Sequence, residues 1–88
     1  MSMSNPEIDE DGNKFWYNEQ GKRHREDGPA VELAIGDKVW YLNGKLHRED
    51  GPAVKWAIGY KEWWLNGKQY TEEEFALLQF INGVNIYA

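Results

Sequence analysis

Two segments of this chain hold an imidazole close to carboxylates. They are His24-Arg25-Glu26-Asp27 and His47-Arg48-Glu49-Asp50. Such a set is raw material for a general acid–base pair or a His/Asp metal site. The same residues equally suit a turn, because each set runs directly into Gly28-Pro29 or Gly51-Pro52. Arg beside Glu gives local ion pairing, and Asp can accept from the backbone N–H groups that follow it. Catalytic machinery is rarely copied with every structural unit, whereas turn chemistry is. Where the set would next recur, the chain reads Lys68-Gln69-Tyr70 and lacks it. The sequence therefore assigns no catalytic residue, no metal ligand and no cofactor, and the chain is expected not to be an enzyme. No phosphate-cradling glycine loop, nucleophile elbow or His-Glu-x-x-His motif occurs. With no cysteine, disulfide scaffolds, Cys-ligated zinc and thiol chemistry are excluded.

The elements that would position these groups repeat. HREDGPAV occurs at residues 24–31 and again at 47–54, an offset of 23 residues. WYLNGK at 40–45 returns as WWLNGK at 63–68, and a looser copy, WYNEQGK, stands at 16–22. Each unit reads as a β-hairpin. Apolar-alternating runs Ala30–Ala34 and Ala53–Ala57 are interrupted by Ile35-Gly36 and Ile58-Gly59 and followed by aromatic-rich Lys38–Leu42 and Lys61–Leu65. Asn43-Gly44 and Asn66-Gly67 supply type I′ turns. Asp27-Gly28-Pro29 and Asp50-Gly51-Pro52 then reset the chain. Glu7–Tyr17 reads as a weaker first hairpin, its turn near Asp11-Gly12.

After Tyr70 the period changes. Thr71 and Glu74 form a capping box, and Glu72, Glu73 and Glu74 sit where a helix N-terminus favours acids. Phe75, Leu77, Leu78, Phe80 and Ile81 give a broad apolar surface, and Asn82-Gly83 is read as the stop. The expected fold is mainly β: tandem antiparallel hairpins of period 23, closed by one C-terminal helix. It forms a single domain over 1–88, with a degenerate hairpin at 7–22, repeats at 23–46 and 47–70, a helix at 71–82 and a tail at 83–88. Val84, Ile86 and Tyr87 in that tail could add to a sheet edge. A chain of 88 residues has room for one core, and its five Trp, five Tyr and three Phe supply it.

Strand alternation separates two faces. Trp16, Trp40 and Trp63, with Leu42 and Leu65, make one apolar face, with Val31, Leu33, Val54 and Trp56 as further candidates. The other face is mixed, holding Tyr17, Tyr41 and Trp64 among Ala, Glu32 and Lys55. This second stripe is read either as a partner-binding surface or as a second small core under the helix.

The ten basic and fifteen acidic residues give a net charge of −5. The acids concentrate at the ends, Glu7, Asp9, Glu10 and Asp11 before the repeats and Glu72–Glu74 after them. The first group is a further candidate contact surface. No general pull on nucleic acid or an anionic membrane follows from this balance. MSMSNPE lacks a basic region leading into an apolar run, and no apolar stretch approaches the ~18 residues that span a bilayer. A cytoplasmic, non-membrane protein is expected.

The 23-residue spacing, the aromatic–Asn-Gly-Lys turn and the closing Asp-Gly resemble MORN repeats, above all their degenerate variant in bacteriophages, bacteria and large DNA viruses. The resemblance covers roughly residues 7–70. It implies a non-enzymatic scaffold that contacts proteins. The HREDGPA linker and the C-terminal helix depart from the ordinary MORN pattern. On this footing the chain is expected to be a small phage or bacterial accessory protein, acting in the host cytoplasm if phage-encoded. It would bind a protein partner and inhibit or scaffold it, a host-defence complex among the targets. An acidic nucleic-acid mimic and an antitoxin-like or immunity protein are the alternatives. A monomer, or a dimer through the C-terminal helix or tail, fits either reading. The repeat-structural set is Trp16, Trp40, Trp63, Asn43, Gly44, Asn66, Gly67, Asp27, Gly28, Pro29, Asp50, Gly51 and Pro52.

Overall fold

The computed structural model describes residues 5–87, with side chains as far as Ile81. Among the described residues, nine short strands precede one helix. The strands are β1 (Glu7–Ile8), β2 (Lys14–Phe15), β3 (Val31–Glu32), β4 (Lys38–Val39), β5 (Tyr41–Leu42), β6 (Lys45–Leu46), β7 (Val54–Lys55), β8 (Lys61–Leu65) and β9 (Lys68–Tyr70); the helix is α1 (Glu72–Tyr87). The fold is mainly β. A seven-stranded antiparallel sheet runs in the order β1-β2-β3-β4-β7-β8-β9, and β5-β6 forms a second small hairpin sheet.

Turn chemistry explains these short strands. Asn43 and Gly44 take φ of 51° and 84°, and Asn66 and Gly67 take 52° and 83°. Both residues of each pair are left-handed, as a type I′ turn requires. The turns at the opposite ends of the strands are longer. The Leu33 N–H donates to the Asp37 carbonyl at 2.9 Å and the Gly36 N–H to the Leu33 carbonyl at 2.8 Å. Three residues, Ala34-Ile35-Gly36, therefore make that turn, with Gly36 at a φ of 107°. Trp56 to Tyr60 does the same.

The tryptophans mark where each strand changes partner. Trp16 donates its N–H to Ala30 at 2.8 Å and accepts from His24 at 3.0 Å. Trp40 does likewise with Ala53, 2.7 Å, and His47, 3.1 Å. Ala30 and Ala53 are completely buried at the two crossovers. Further bonds join β5-β6 to its flanks: Arg25 to Tyr41, Gly44 to Arg23, Arg48 to Trp64 and Gly67 to Leu46. One continuous ribbon of backbone hydrogen bonds results, in a body of 47 × 34 × 18 Å.

The register corrects the expected faces. Val31 lies opposite Phe15 and Val39, and Val54 lies opposite Val39 and Glu62. Directly paired residues share a face. Val31 and Val54 therefore belong with Phe15 and Tyr41, not with Trp16 and Trp40. Glu32 and Lys55 pair with Lys14, Lys38 and Lys61 and lie on the tryptophan face. Side-chain contacts agree. Arg23 lies over the rings of Phe15 and Tyr41, whereas Arg25 reaches both the Trp16 ring and Glu32. The cause is the three-residue turn. A two-residue turn at Ile35-Gly36 would set Val31 opposite Trp40, and one added residue flips the whole strand.

The helix starts as expected. The Thr71 N–H donates to Glu74 Oε1 at 2.9 Å, and the Glu74 N–H donates to Thr71 Oγ1 at 3.0 Å. It does not stop at Asn82-Gly83 but continues to Tyr87, so the separate tail from residue 83 is not seen. An Asn-Gly pair permits a left-handed stop without compelling one, and a helical Gly costs only about 1 kcal/mol. Ala88 and the side chains of Val84, Ile86 and Tyr87 lie outside the described residues. α1 packs on β8 and β9, with Phe75 buried and Leu77 and Phe80 turned outward. No helix among the described residues is long and apolar enough to cross a membrane.

Candidate functional site

The two HRED segments occupy matching positions beside successive strands. Arg25 stacks its guanidinium 3.9 Å from the centre of the Trp16 ring, and Arg48 does the same over Trp40, also at 3.9 Å. Each Arg then folds back on its own loop. Arg25 Nε donates to Asp27 Oδ1 at 3.0 Å and Nη1 to the Pro29 carbonyl at 3.1 Å. The Arg48 bonds, to Asp50 at 2.9 Å and Pro52 at 3.1 Å, match them. A Cβ at Gly28 or Gly51 would come within 3.0 Å of the guanidinium carbon. Glycine precedes proline here because the arginine lies against the backbone.

The histidines are also committed. His24 Nδ1 accepts from the Asn43 N–H at 2.9 Å, and His47 Nδ1 accepts from the Asn66 N–H at 2.9 Å. Each ring thus holds the first residue of the following Asn-Gly turn. With Nδ1 an acceptor, the proton sits on Nε2. That N–H faces Glu26 at 3.4 Å in one segment and Glu49 at 3.2 Å in the other. His47 is buried. An imidazole so placed spends its lone pair on the backbone, which removes the atom a general base would use. Among the described residues no group of three or more His, Cys, Asp or Glu is placed to hold a metal ion.

Between the two loops lies an open cleft of about 660 Å³. Trp40, Leu42 and the two loop segments 25–28 and 47–50 line it, so Glu26, Asp27, Glu49 and Asp50 all border the cleft. These carboxylates are largely exposed, from 74% to 87%. The two arginines are tied down by the loops, so the charge the rim offers to solvent is negative.

The candidate contact residues divide between surfaces. Tyr17, Tyr41 and Trp64 are half-buried on the face away from the HRED loops. Trp64 donates its indole N–H to Glu62 at 2.9 Å, and the more exposed Trp56 donates to the same carboxylate at 3.1 Å. Glu32 and Lys55 are on the opposite face. At the N-terminal end, Glu7, Glu10 and Asp11 are exposed, but Asp9 builds its turn. Its carboxylate accepts from the Asn13 side chain, the Asn13 N–H and the Asp11 N–H, each at 3.0 Å. The Asn13 side-chain bond is the main reason its pKa is lowered from the ordinary 3.8. The tryptophans differ in depth: Trp16 is 6% exposed, and Trp40 and Trp63 are half-buried.

Three features escaped the sequence reading. The arginine–tryptophan stack and the histidine latch join residues up to 19 positions apart, beyond any local pattern. Cross-unit capping escaped too: Asn13 Oδ1 accepts from the Ala34 N–H at 2.7 Å, and buried Asp37 Oδ1 accepts from the Ala57 N–H at 2.6 Å. The copied HRED string was the available signal for the latches. The fold is that of a mainly β protein in which Arg25 and Arg48 are bonded to their own loops and His24 and His47 to the following Asn-Gly turns. Comparison with protein-family models, with curated proteins and with solved structures finds no match.

Proposed function

We propose that the chain is a non-catalytic protein-binding module: a MORN-like tandem hairpin array of 23-residue period that offers one aromatic face to a protein partner. The observation that carries this reading is the row Tyr17, Tyr41 and Trp64, with Arg23 set between Phe15 and Tyr41 at 5.5 and 5.9 Å. Aromatic residues and arginine dominate the energetics of protein contacts. The row stands on the face opposite Arg25 and Arg48, and α1 is tied through Gln79 to the Glu49 carbonyl, in the loop that carries Arg48. The period is supported by contacts that recur 23 residues on: Arg25–Asp27 with Arg48–Asp50, and His24–Asn43 with His47–Asn66. The non-catalytic character is supported by the engaged Nδ1 atoms. A small acidic chain of this kind suits a phage or bacterial accessory protein that occupies its partner in the cytoplasm and so inhibits or scaffolds it.

Tyr41→Ser and Trp64→Ser, made singly, test the reading. Each is expected to lower stability by only about 1–2 kcal/mol, the cost of a half-buried side chain. Each is also expected to abolish recovery of the partner that the unaltered protein captures from lysate. A loss above about 3 kcal/mol in both variants would mark the row as core, and undiminished capture would remove it from the interface.

A further inference from the structure

Glu32 and Lys55 hold equivalent places in successive units, and the contrast between them is informative. Glu32 lies directly opposite Lys14 on one side and Lys38 on the other, and it accepts from Arg25 Nη1 at 3.3 Å. One carboxylate thus pairs with Arg25 and stands between two lysines across the strands. Lys55 takes that position in the next unit, directly opposite Lys38 and Lys61. Three lysines then stand side by side on adjacent strands, all exposed, and among the described residues none has an ion-pair partner. Directly opposed like charges destabilise a sheet. The preceding unit carries the residue that would relieve them, so folding does not account for Lys55.

From this we infer that Lys38, Lys55 and Lys61 form a docking row for a short acidic segment of a protein partner. Charge complementarity selects the class of ligand, and size selects among its members. Three strands span only about 10 Å, which matches two or three carboxylates. The chain as a whole, the row included, carries a net charge of −5, which repels a long nucleic acid or an anionic bilayer. The row extends the protein-binding reading to the other face of the sheet. Because a peptide assay reads the lysines without the Tyr41 face, the two ideas fail separately.

The test compares the unaltered protein with Lys55→Glu and Lys55→Gln, using fluorescein-labelled hexaglutamate as the probe at low salt. Lys55→Glu is expected to weaken binding about tenfold or more and to raise the melting temperature by about 2–6 °C, since it recreates the arrangement around Glu32. Lys55→Gln is expected to fall between. Three outcomes would overturn the inference: binding unchanged in both variants; a lowered melting temperature in Lys55→Glu; or tighter binding of oligothymidylate, or of phosphatidylserine–phosphatidylcholine vesicles, than of hexaglutamate.

Discussion

Replacing Trp16 by Ala is expected to remove about 3–5 kcal/mol of stability, the usual cost of deleting a large buried aromatic side chain. Trp16 is 6% exposed and sits where its strand exchanges one partner for another, between Ala30 and His24. Arg25 covers its ring. Truncation would leave a cavity, strip the arginine of its platform and loosen two strand junctions at once. A domain of 88 residues holds about 5–10 kcal/mol in total. The melting temperature should therefore fall by about 15–30 °C, read by circular dichroism. Trp63→Ala, at a half-buried site at the end of the array, should cost clearly less. Equal losses at both positions would contradict the packing order described above.

The second large effect concerns Arg48. Arg48→Ala is expected to cost about 2–3 kcal/mol, from the lost stack on Trp40 and the bonds to Asp50 and the Pro52 carbonyl. The Asp50 contribution is the smallest, because its carboxylate is 86% exposed and screened by water. Most of the loss lies in the carbonyl bond and in exposing Trp40. Arg48→Lys keeps the charge but not the planar fork that stacks and donates in two directions, so it should recover less than half. Full recovery by lysine would show that charge alone matters. Urea denaturation of the three proteins separates these outcomes.

Short-range features were legible in the sequence, because local chemistry sets them. Asn43-Gly44 and Asn66-Gly67 have few backbone options, and Thr71 with Glu74 forms its reciprocal bonds within four residues. The relative phase of neighbouring strands was not legible. It depends on whether Ala34 belongs to the turn or to the strand, a choice made by the hydrogen bond from Leu33 to Asp37. Ala34, and Ala57 in the next unit, moved Val31, Glu32, Val54 and Lys55 to faces opposite those expected, and so split the candidate contact set. The lysine row is visible only in the corrected register. The helix end was misjudged for a related reason. Asn82-Gly83 is a permissive stop, and permission is weaker than the hydrogen-bonded continuation seen to Tyr87. In the HRED segments, residue types suggested both acid–base chemistry and turn building. The copying of the set in each unit favoured turn building, but the bonds from Asn43 and Asn66, which lie 19 residues downstream of their histidines, were not legible.

Those two imidazoles carry the central claim, that the copied segments latch successive hairpins together. Nitrogen-detected NMR of the histidine rings tests it directly. Both His24 and His47 are expected to show the Nε2–H tautomer, with scalar coupling from Nδ1 across the hydrogen bond to the Asn43 or Asn66 amide. Rings that exchange freely between tautomers, with those amides uncoupled and fast in hydrogen exchange, would contradict the account and return both histidines to the pool of available bases.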